Sequence, residues 1–249
     1  MGGDLMGRLK RMHGRLETVM VVIAGAAVAL ASSSALAQTK QAPPNSPVGG
    51  PNWNPKVNVA PAVAGITLDP QQVEIVNKVN GYFNKLDKLK GAFVQTSPDK
   101  KRLKGKFYLL KPGRIRFEYS LPSRQLVVSD GHQIAIQDLD INTDDRVMVD
   151  QTPFRVLLRK DVDLLRDARI LEVQEADDLL IVALQDKGQD SNGKIRLFLA
   201  KTPTLELKEW VTTDNQGLDT RVEVSNLDHE ARVEPVLFKI TSPQLKNLQ

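Results

Sequence analysis

The sequence contains no cysteine and only three histidines, and both shortages exclude kinds of chemistry. Without cysteine there is no disulfide framework, no thiolate nucleophile and no cysteine-based metal site. There is also no cysteine that could carry acyl chains at the N-terminus of an exported chain. His13, His132 and His229 lie far apart in the sequence, without carboxylate partners at ligand spacing. The sequence therefore predicts a fold stabilised by its core alone, with no metal site.

Catalytic and cofactor motifs are also missing from the chain. There is no G-x-S-x-G elbow, no phosphate-binding loop and no dinucleotide fingerprint. Residues 138–145 resemble the start of a calcium loop, but Thr143 replaces the required glycine and Val149 replaces the bidentate glutamate. We interpret this stretch as an acidic hairpin tip. Two distant carboxylates could still form a hydrolase site, but nothing supports one, so we predict neither an enzyme nor a cofactor.

The excess of positive charge is largely a property of the N-terminus. The chain carries 34 basic and 30 acidic residues, a formal net charge of +4. Four of the basic and two of the acidic residues precede Gln38, so the remainder carries a net charge of +2. A charge this small does not indicate a nucleic-acid partner.

The first 37 residues have the pattern of a signal peptide. A basic region from Arg8 to Arg15 precedes an apolar run over residues 19–31, and the small-x-small sequence of residues 35–37 follows. The run is shorter than the roughly 20 residues that span a bilayer, although an uncleaved anchor is the alternative. We predict a signal peptide over residues 1–37, cleavage after Ala37 and export to the periplasm.

A proline-rich tract separates this segment from the folded part of the chain. Six of the 14 prolines lie between residues 38 and 64, where aliphatic residues are few. Such composition is typical of an extended, disordered linker, which we place at residues 38–65. The folded domain is then expected to occupy residues 66–249.

The folded domain opens with the signature of a helix. Asp69 is a suitable N-cap, Pro70 suits the first helical position, and Gln72 completes a capping box. Apolar residues then recur at helical spacing and predict a helix that buries one face. The predicted face consists of Val73, Val76, Val79, Phe83 and Leu86.

After Leu86 the apolar residues alternate with a period of two, which predicts strands. Turn sequences at residues 112–113, 130–131 and 214–217 separate them. Thr152-Pro153 and Asp161 introduce two short helical pieces, which are too short to be stable unless they pack on the sheet. We predict an α+β fold with about ten to eleven antiparallel strands, arranged in chain order as a meander that curls into an incomplete barrel.

The succession of several segments resembles a known family. Residues 91–95 (GAFVQ), 105–119 (GKFYLLKPGRIRFEY) and 128–131 (VSDG), then Thr152-Pro153, then residues 214–220 (DNQGLDT), are similar in order and spacing to outer-membrane lipoprotein carrier (LolA-like) proteins. The resemblance covers roughly residues 70–228 and follows a signal peptide. It implies an incomplete barrel whose concave apolar face is covered by the long N-terminal helix and the short central helices.

The resemblance also implies a function and partners. Such carriers take acylated lipoproteins from an inner-membrane ABC-type releasing complex, shield the acyl chains and deliver them to an outer-membrane acceptor. We therefore expect a monomeric periplasmic carrier. The alternative is a periplasmic lipid-binding sensor or adaptor of the same fold, which would bind a membrane regulator.

The strand alternation supplies candidate residues for a cavity that shields acyl chains. The strands contribute the candidates Phe93, Phe107, Leu109, Ile115, Phe117, Tyr119, Ile134 and Ile136, and the short helices contribute Phe154, Leu157 and Leu164. For each of them ordinary core packing is the alternative.

Lys111 is the candidate for a latch on the closed state. It shares a face with Phe107 and Leu109, so we expect it to reach a backbone carbonyl under the helices. Many members of the family carry arginine at this position before the proline, and lysine lacks its planar fork. A solvated lysine at a strand end is the alternative.

Overall fold

The structure is a computed structural model that describes residues 65–188 and 193–241. The predicted signal peptide, and the predicted linker up to residue 64, lie outside these residues. Within the described ranges, no helix is both long enough and apolar enough to cross a membrane.

The long helix, α1 (Pro70–Lys85), begins where the sequence predicts. The backbone N–H of Gln72 donates to Asp69 Oδ1 at 2.8 Å, and the N–H of Asp69 donates to Gln72 Oε1 at 3.1 Å. This reciprocal pair satisfies two N–H groups that a helix start leaves unpaired. The buried face differs slightly from the predicted one, because Val73 is only half-buried. The buried helix residues are Ile75, Val76, Val79, Asn80 and Phe83.

Eleven antiparallel strands form a single open sheet, so the predicted fold class is confirmed. The first six strands are β1 (Lys88–Thr96), β2 (Arg102–Leu110), β3 (Arg114–Tyr119), β4 (Gln125–Asp130), β5 (Gln133–Asp138) and β6 (Thr143–Met148). The other five are β7 (Ala168–Glu175), β8 (Leu179–Asp186), β9 (Lys194–Ala200), β10 (Glu206–Thr213) and β11 (Asp219–Asp228).

The strand order differs from the predicted meander, in which each strand pairs with the next one along the chain. The order is β6-β5-β4-β3-β2-β1-β11-β10-β9-β8-β7, so the first and last strands pair in the middle of the sheet. Phe93 lies opposite Val224, and Gln95 lies opposite Val222. The consecutive strands β6 and β7 are therefore the two edges. The predicted chain order holds within β1–β6 and within β7–β11, and it fails where β6 and β7 separate and β1 pairs with β11, because pairing between distant strands leaves no local pattern.

The chain between the two edges forms the short helices. A 3₁₀ turn (Val149–Gln151) leads into α2 (Arg155–Leu158), and α3 (Leu164–Asp167) follows with Asp163 as its N-cap. The second piece begins about three residues later than the predicted start at Asp161. These helices occupy the part of the chain that links the two edges of the sheet.

One face of the sheet packs against the helices and forms the main core. We call β1–β6 the first half of the sheet and β7–β11 the second half. The buried residues of this core come from α1, α2, α3 and strands of both halves, including Leu89 of β1 and Leu197 of β9. A flat sheet of eleven strands could not bring residues from both halves against one short helix, so the sheet curls around the helices.

The C-terminal segment packs on the opposite face of the sheet. A second 3₁₀ turn (Pro235–Phe238) buries Phe238 beside Tyr108 and Leu110 of β2. Arg116 of β3 donates to the carbonyl of Leu237 at 2.9 Å. Strands β2 and β3 are thus covered on both faces.

Candidate functional site

An apolar cavity lies between the curled sheet and the helices. Its volume is about 90 Å³. The first half of the sheet contributes Leu89, Gln95, Phe107, Leu109, Ile115, Phe117, Tyr119, Val127 and Ile134. The second half contributes Ile195, Leu197, Leu207, Trp210, Val222 and Val224, and the helical side contributes Phe83, Leu86, Phe154, Leu157 and Leu158.

The register of the strands explains why these residues converge. Because β-strand side chains alternate between faces, paired residues in an antiparallel sheet share a face. Phe107 lies opposite both Phe117 of β3 and Gly91 of β1. Leu197 lies opposite Trp210 on the other half of the sheet. The same face therefore runs without interruption from β5 through the central β1–β11 pair to β9.

Two glycines on β1 and β2 make room for the aromatic rings. A Cβ at Gly91 would lie 2.7 Å from the ring of Phe107, and one at Gly105 would lie 2.7 Å from the ring of Phe93. Each glycine is the cross-strand partner of the ring that it accommodates. A side chain at Gly91 would displace the ring of Phe107, and one at Gly105 would collide with the backbone carbonyl of Glu118 as well as with the ring of Phe93.

Aromatic rings form a connected group along the cavity wall. Phe117 stacks on Phe107 with centroids 5.6 Å apart and meets Phe93 edge-on at 5.1 Å. The ring of Trp210 lies between those of Phe117 and Phe154, the latter on the helical side. The centroid distances are 6.3 Å to Phe117 and 6.1 Å to Phe154. These are the separations at which aromatic pairs attract one another. The wall is therefore apolar and continuous from the strands to the residue that precedes α2.

Most of the candidate residues from the sequence face this cavity together. Those that line it are Phe107, Leu109, Ile115, Phe117, Tyr119, Ile134, Phe154 and Leu157. Three others lie elsewhere. Phe93 is buried behind Phe117 and Tyr119, Leu164 is fully buried in the core, and Ile136 packs in a cluster with Val127 and Val147.

Several lining residues were not among the candidates. Trp210 and Leu197 belong to the second half of the sheet, and Phe83 belongs to the end of α1. Their alternation was visible in the sequence, but only the pairing of β1 with β11 places them beside the first half. Gln95 follows Phe93 by two positions on β1 and also lines the cavity, but it was not among the candidates.

Gln95 and Tyr119 form a polar pair within the apolar lining. The hydroxyl of Tyr119 donates to Gln95 Oε1 at 2.7 Å. Burial raises the pKa of Tyr119, and the hydrogen bond to Gln95 opposes that rise. The phenol is therefore neutral and acts as a hydrogen-bond donor.

Lys111 joins the end of β2 to the last turn of α1. Its Nζ donates to the carbonyl oxygen of Phe83 at 2.6 Å, and its backbone N–H donates to the carbonyl of Asp87 at 2.8 Å. A cation suits this place because the C-terminal end of a helix carries partial negative charge. Burial lowers the pKa of Lys111 to about 8, with Asp87 acting in the opposite direction.

Asparagine side chains of α1 hold the segment before α3. Asn80 Oδ1 accepts the N–H of Leu164 at 3.0 Å. Asn84 both accepts from the N–H of Val162, at 2.8 Å, and donates to its carbonyl, at 2.9 Å. These two asparagines were not among the candidates, because nothing in the sequence distinguishes them from the exposed Asn77 on the same helix.

The helix α2 is fastened at both ends. The carbonyl of Leu158 accepts the N–H of Gly113 at 2.9 Å, which ties the helix to the β2–β3 turn. Arg155 makes a two-pronged contact with Asp186 at the end of β8, at 2.6 and 2.5 Å, and the side chain of Asp186 is fully buried. Side-chain hydrogen bonding to Asp186 raises the pKa of Arg155. The cavity is thus closed by a segment with few but specific attachments.

The acidic hairpin tip has the geometry of a turn. β5 ends at Asp138 and β6 starts at Thr143, and Asp138 Oδ1 accepts the N–H of Asp140 at 2.9 Å. No group of three or more His, Asp or Glu side chains that could hold a metal occurs within residues 65–188 and 193–241. What the described site offers is apolar surface and a few hydrogen-bonding groups.

Known proteins resemble this chain over most of the folded region. The family described as outer membrane lipoprotein carrier protein LolA matches residues 84–241. An outer-membrane lipoprotein carrier protein of Chromobacterium violaceum is 27% identical over 198 residues, which cover 76% of this chain and 94% of the relative. One of Leptothrix cholodnii is 28% identical over 181 residues, covering 69% and 84%. A LolA superfamily protein of Nitrosomonas europaea has a crystal structure that covers 68% of this chain and 97% of its own, with 9% identity and a TM-score of 0.38. The family match spans more than half of the sequence, and this chain therefore belongs to the outer membrane lipoprotein carrier protein family.

Proposed function

We propose that this protein is a periplasmic carrier that shields the acyl chains of lipoproteins and takes them from the inner to the outer membrane. Family membership supports the lipoprotein cargo, and the predicted signal peptide supports export. The observation that carries the proposal is the apolar cavity, whose wall runs from strands of both halves of the sheet to Phe154 on the helical side.

Acyl chains need such a surface to cross an aqueous compartment. Each methylene exposed to water costs about 0.8 kcal/mol, so a carrier must replace water by apolar side chains. Phe107, Phe117 and Trp210 provide large apolar surfaces for this purpose. The lining includes no charged side chain among the described residues, so a bound hydrocarbon chain would not lie against a buried charge.

The cavity must enlarge to accept cargo. Its volume of about 90 Å³ is well below the roughly 300–1,000 Å³ of pockets that enclose drug-sized ligands. We infer that the helical segment moves away from the sheet when an acyl chain enters, and that its attachments by Lys111, Asn80 and Arg155 set the cost of that movement. In this role Lys111 is the latch of the closed state.

We propose the partners from the same reasoning. An inner-membrane ABC-type complex would supply the acylated protein, since extraction of a lipid anchor from a bilayer requires energy. An outer-membrane acceptor would receive it. A monomer suffices for this cycle, because a single chain supplies both the sheet and its helical cover.

A transfer assay tests the function. Full-length protein, exported and purified from the periplasm, is mixed with inner-membrane vesicles that contain the releasing complex and a labelled lipoprotein. We expect the lipoprotein to appear in a soluble complex with this protein, and mass spectrometry to identify triacylated lipoproteins in the complex purified from cells. Free phospholipid alone, or a membrane regulator in place of lipoproteins, would contradict the carrier role.

Two phenylalanines provide matched variants. Phe117 lines the cavity, whereas Phe198 of β9 lies on the opposite face of the sheet beside Arg196. Phe117→Glu places a charge where hydrocarbon should bind, so we expect lipoprotein release to fall at least tenfold, on the scale of a few kcal/mol for burying a charge. Phe198→Glu should retain release. Equal activity of both variants would count against the cavity.

A further inference from the structure

Among the residues that the structure describes, Gln95 is the one side-chain amide in the lining of the apolar cavity. It lies near the end of β1 opposite Val222, and only 2% of its surface is exposed. Its oxygen accepts the hydroxyl proton of Tyr119 at 2.7 Å. The amide is therefore held in a fixed orientation by a buried phenol.

The nitrogen of this amide has no partner. Gln95 Nε2 is buried and makes no hydrogen bond to any residue that the structure describes. The opposite orientation of the amide, with its nitrogen facing Tyr119, does not satisfy all of these groups. The hydroxyl proton of Tyr119 and the amide oxygen would then both lack partners. A buried donor without an acceptor is unfavourable, and native proteins contain few of them.

The surroundings of Gln95 restrict the kind of acceptor that could complete this bond. Hydrocarbon has no acceptor atom, so an acyl tail alone leaves the N–H unpaired. A free carboxylate would bring a charge into a lining that has no cationic side chain among the described residues. A neutral carbonyl oxygen satisfies the donor without adding charge.

We propose that Gln95 Nε2 donates a hydrogen bond to the carbonyl oxygen of an ester- or amide-linked acyl chain in the cavity, while Tyr119 holds the amide in place. The proposal rests on the proposed function, since it needs the cavity to accept acyl chains. It adds that the cavity distinguishes an acyl group from plain hydrocarbon of the same length.

Displacement of a polarity-sensitive dye from the full-length protein measures this distinction. The probes are methyl palmitate, which has an ester carbonyl, and heptadecane, which does not. We expect wild-type protein to prefer the ester, and Gln95→Leu to reduce that preference about five- to tenfold, the effect of one hydrogen bond. Tyr119→Phe keeps the amide donor but removes the hydroxyl that orients it, so it should lose part of the preference and less than Gln95→Leu does.

Infrared spectroscopy of methyl palmitate with an isotope-labelled carbonyl gives a direct signature. Hydrogen bonding lowers the carbonyl stretching frequency, so the bound band should lie lower in wild-type protein than in Gln95→Leu. Gln95→Met, which keeps an unbranched side chain of similar length, serves if Gln95→Leu does not fold. A purely structural glutamine would change stability without shifting this band.

The outcomes separate the two proposals. If wild-type protein binds neither probe, the proposed function is wrong. If it binds both probes, and the ester preference and the carbonyl band are the same in wild type, Gln95→Leu and Gln95→Met, the cavity takes acyl chains but the role of Gln95 is overturned.

Discussion

The side-chain nitrogen of Lys111 lies 2.6 Å from the carbonyl oxygen of Phe83, so the end of a strand holds the last turn of the long helix. The N–H of Leu86 donates to the same oxygen at 3.2 Å. This carbonyl belongs to the last turn of the helix, where the regular i+4 hydrogen bonds are missing, and the cap residue Leu86 and Lys111 both donate to it instead. The contact therefore caps the helix and fastens it to the sheet at once.

This contact predicts a pH dependence of stability. The pKa of Lys111 falls from 10.5 to about 8 on folding, so between these values the unfolded chain binds more protons than the folded chain. Stability must then rise with pH across this window, because protonation favours the state with the higher pKa. We expect the unfolding free energy of wild type, relative to Lys111→Met, to increase from about pH 8 to about pH 10. Urea unfolding at several pH values measures the difference, and a constant difference would contradict the prediction.

Loss of the latch should also speed the release of cargo. Lys111→Leu removes the donor to Phe83, so the closed state loses a charge-assisted hydrogen bond. We expect release of a fluorescent acyl probe to become about three- to tenfold faster, since the pair is partly solvated. Lys111→Arg keeps a donor and should release at nearly the wild-type rate. Unchanged release from Lys111→Leu would leave Lys111 with no role as a latch.

Phe93 and Phe117 touch each other but should respond differently to truncation. Phe93 is 2% exposed and packed on all sides, whereas Phe117 borders the cavity. We expect Phe93→Ala to cost about 3–5 kcal/mol of unfolding free energy, and Phe117→Ala roughly half as much, because fewer atoms surround the ring that is removed. Acyl binding should fall more in Phe117→Ala. Chemical denaturation with dye displacement measures both, and the reverse ranking would show that Phe117 is the core residue.

The comparison of these two rings shows what sequence patterns can predict. Alternation placed Phe93 and Phe117 on the same face, and that is confirmed. How deeply each ring is buried depends on its neighbours, and Phe93 is buried in edge-on contact with the rings of Phe117 and Tyr119, which alternation does not reveal. Leu164 likewise lies fully buried at the start of its helix and not in the cavity lining, a difference in depth that the apolar pattern does not reveal.

Strand boundaries were easier to predict than strand order. Turns such as residues 112–113 and 214–217 carry local signals, and the strands begin and end at them. The pairing of Gln95 with Val222 joins residues more than a hundred positions apart and has no local signal. The second half of the cavity wall, with Trp210, therefore could not be assigned from the sequence.

Arg155 and Asp186 should contribute far more to stability than a surface ion pair does. The carboxylate of Asp186 is fully buried, and besides Arg155 it accepts the N–H of Gly188 at 2.7 Å. Arg155→Met would leave this buried charge with one partner, so we expect a loss of about 3–5 kcal/mol. Arg166 of α3 contacts Asp161 and Asp167 in a solvent-exposed cluster, so Arg166→Met should cost far less than Arg155→Met. Thermal and urea unfolding compare the two variants, and equal losses would contradict the role of burial.

Asn80 should control how often the segment before α3 opens. Its oxygen accepts the N–H of Leu164, which is itself fully buried. Asn80→Ala leaves that N–H without its acceptor, so we expect about 1–3 kcal/mol of local destabilisation. Asn77→Ala is the control, because Asn77 is exposed on the same helix and accepts only a long hydrogen bond from Asn80 Nδ2, at 3.5 Å, so that Asn80 Oδ1 is left to accept the N–H of Leu164. Hydrogen exchange at Leu164 should accelerate about five- to a hundredfold in Asn80→Ala and remain near wild type in Asn77→Ala. If exchange at Leu164 is unchanged in Asn80→Ala, the segment is held by its other attachments, and cargo entry does not depend on this asparagine.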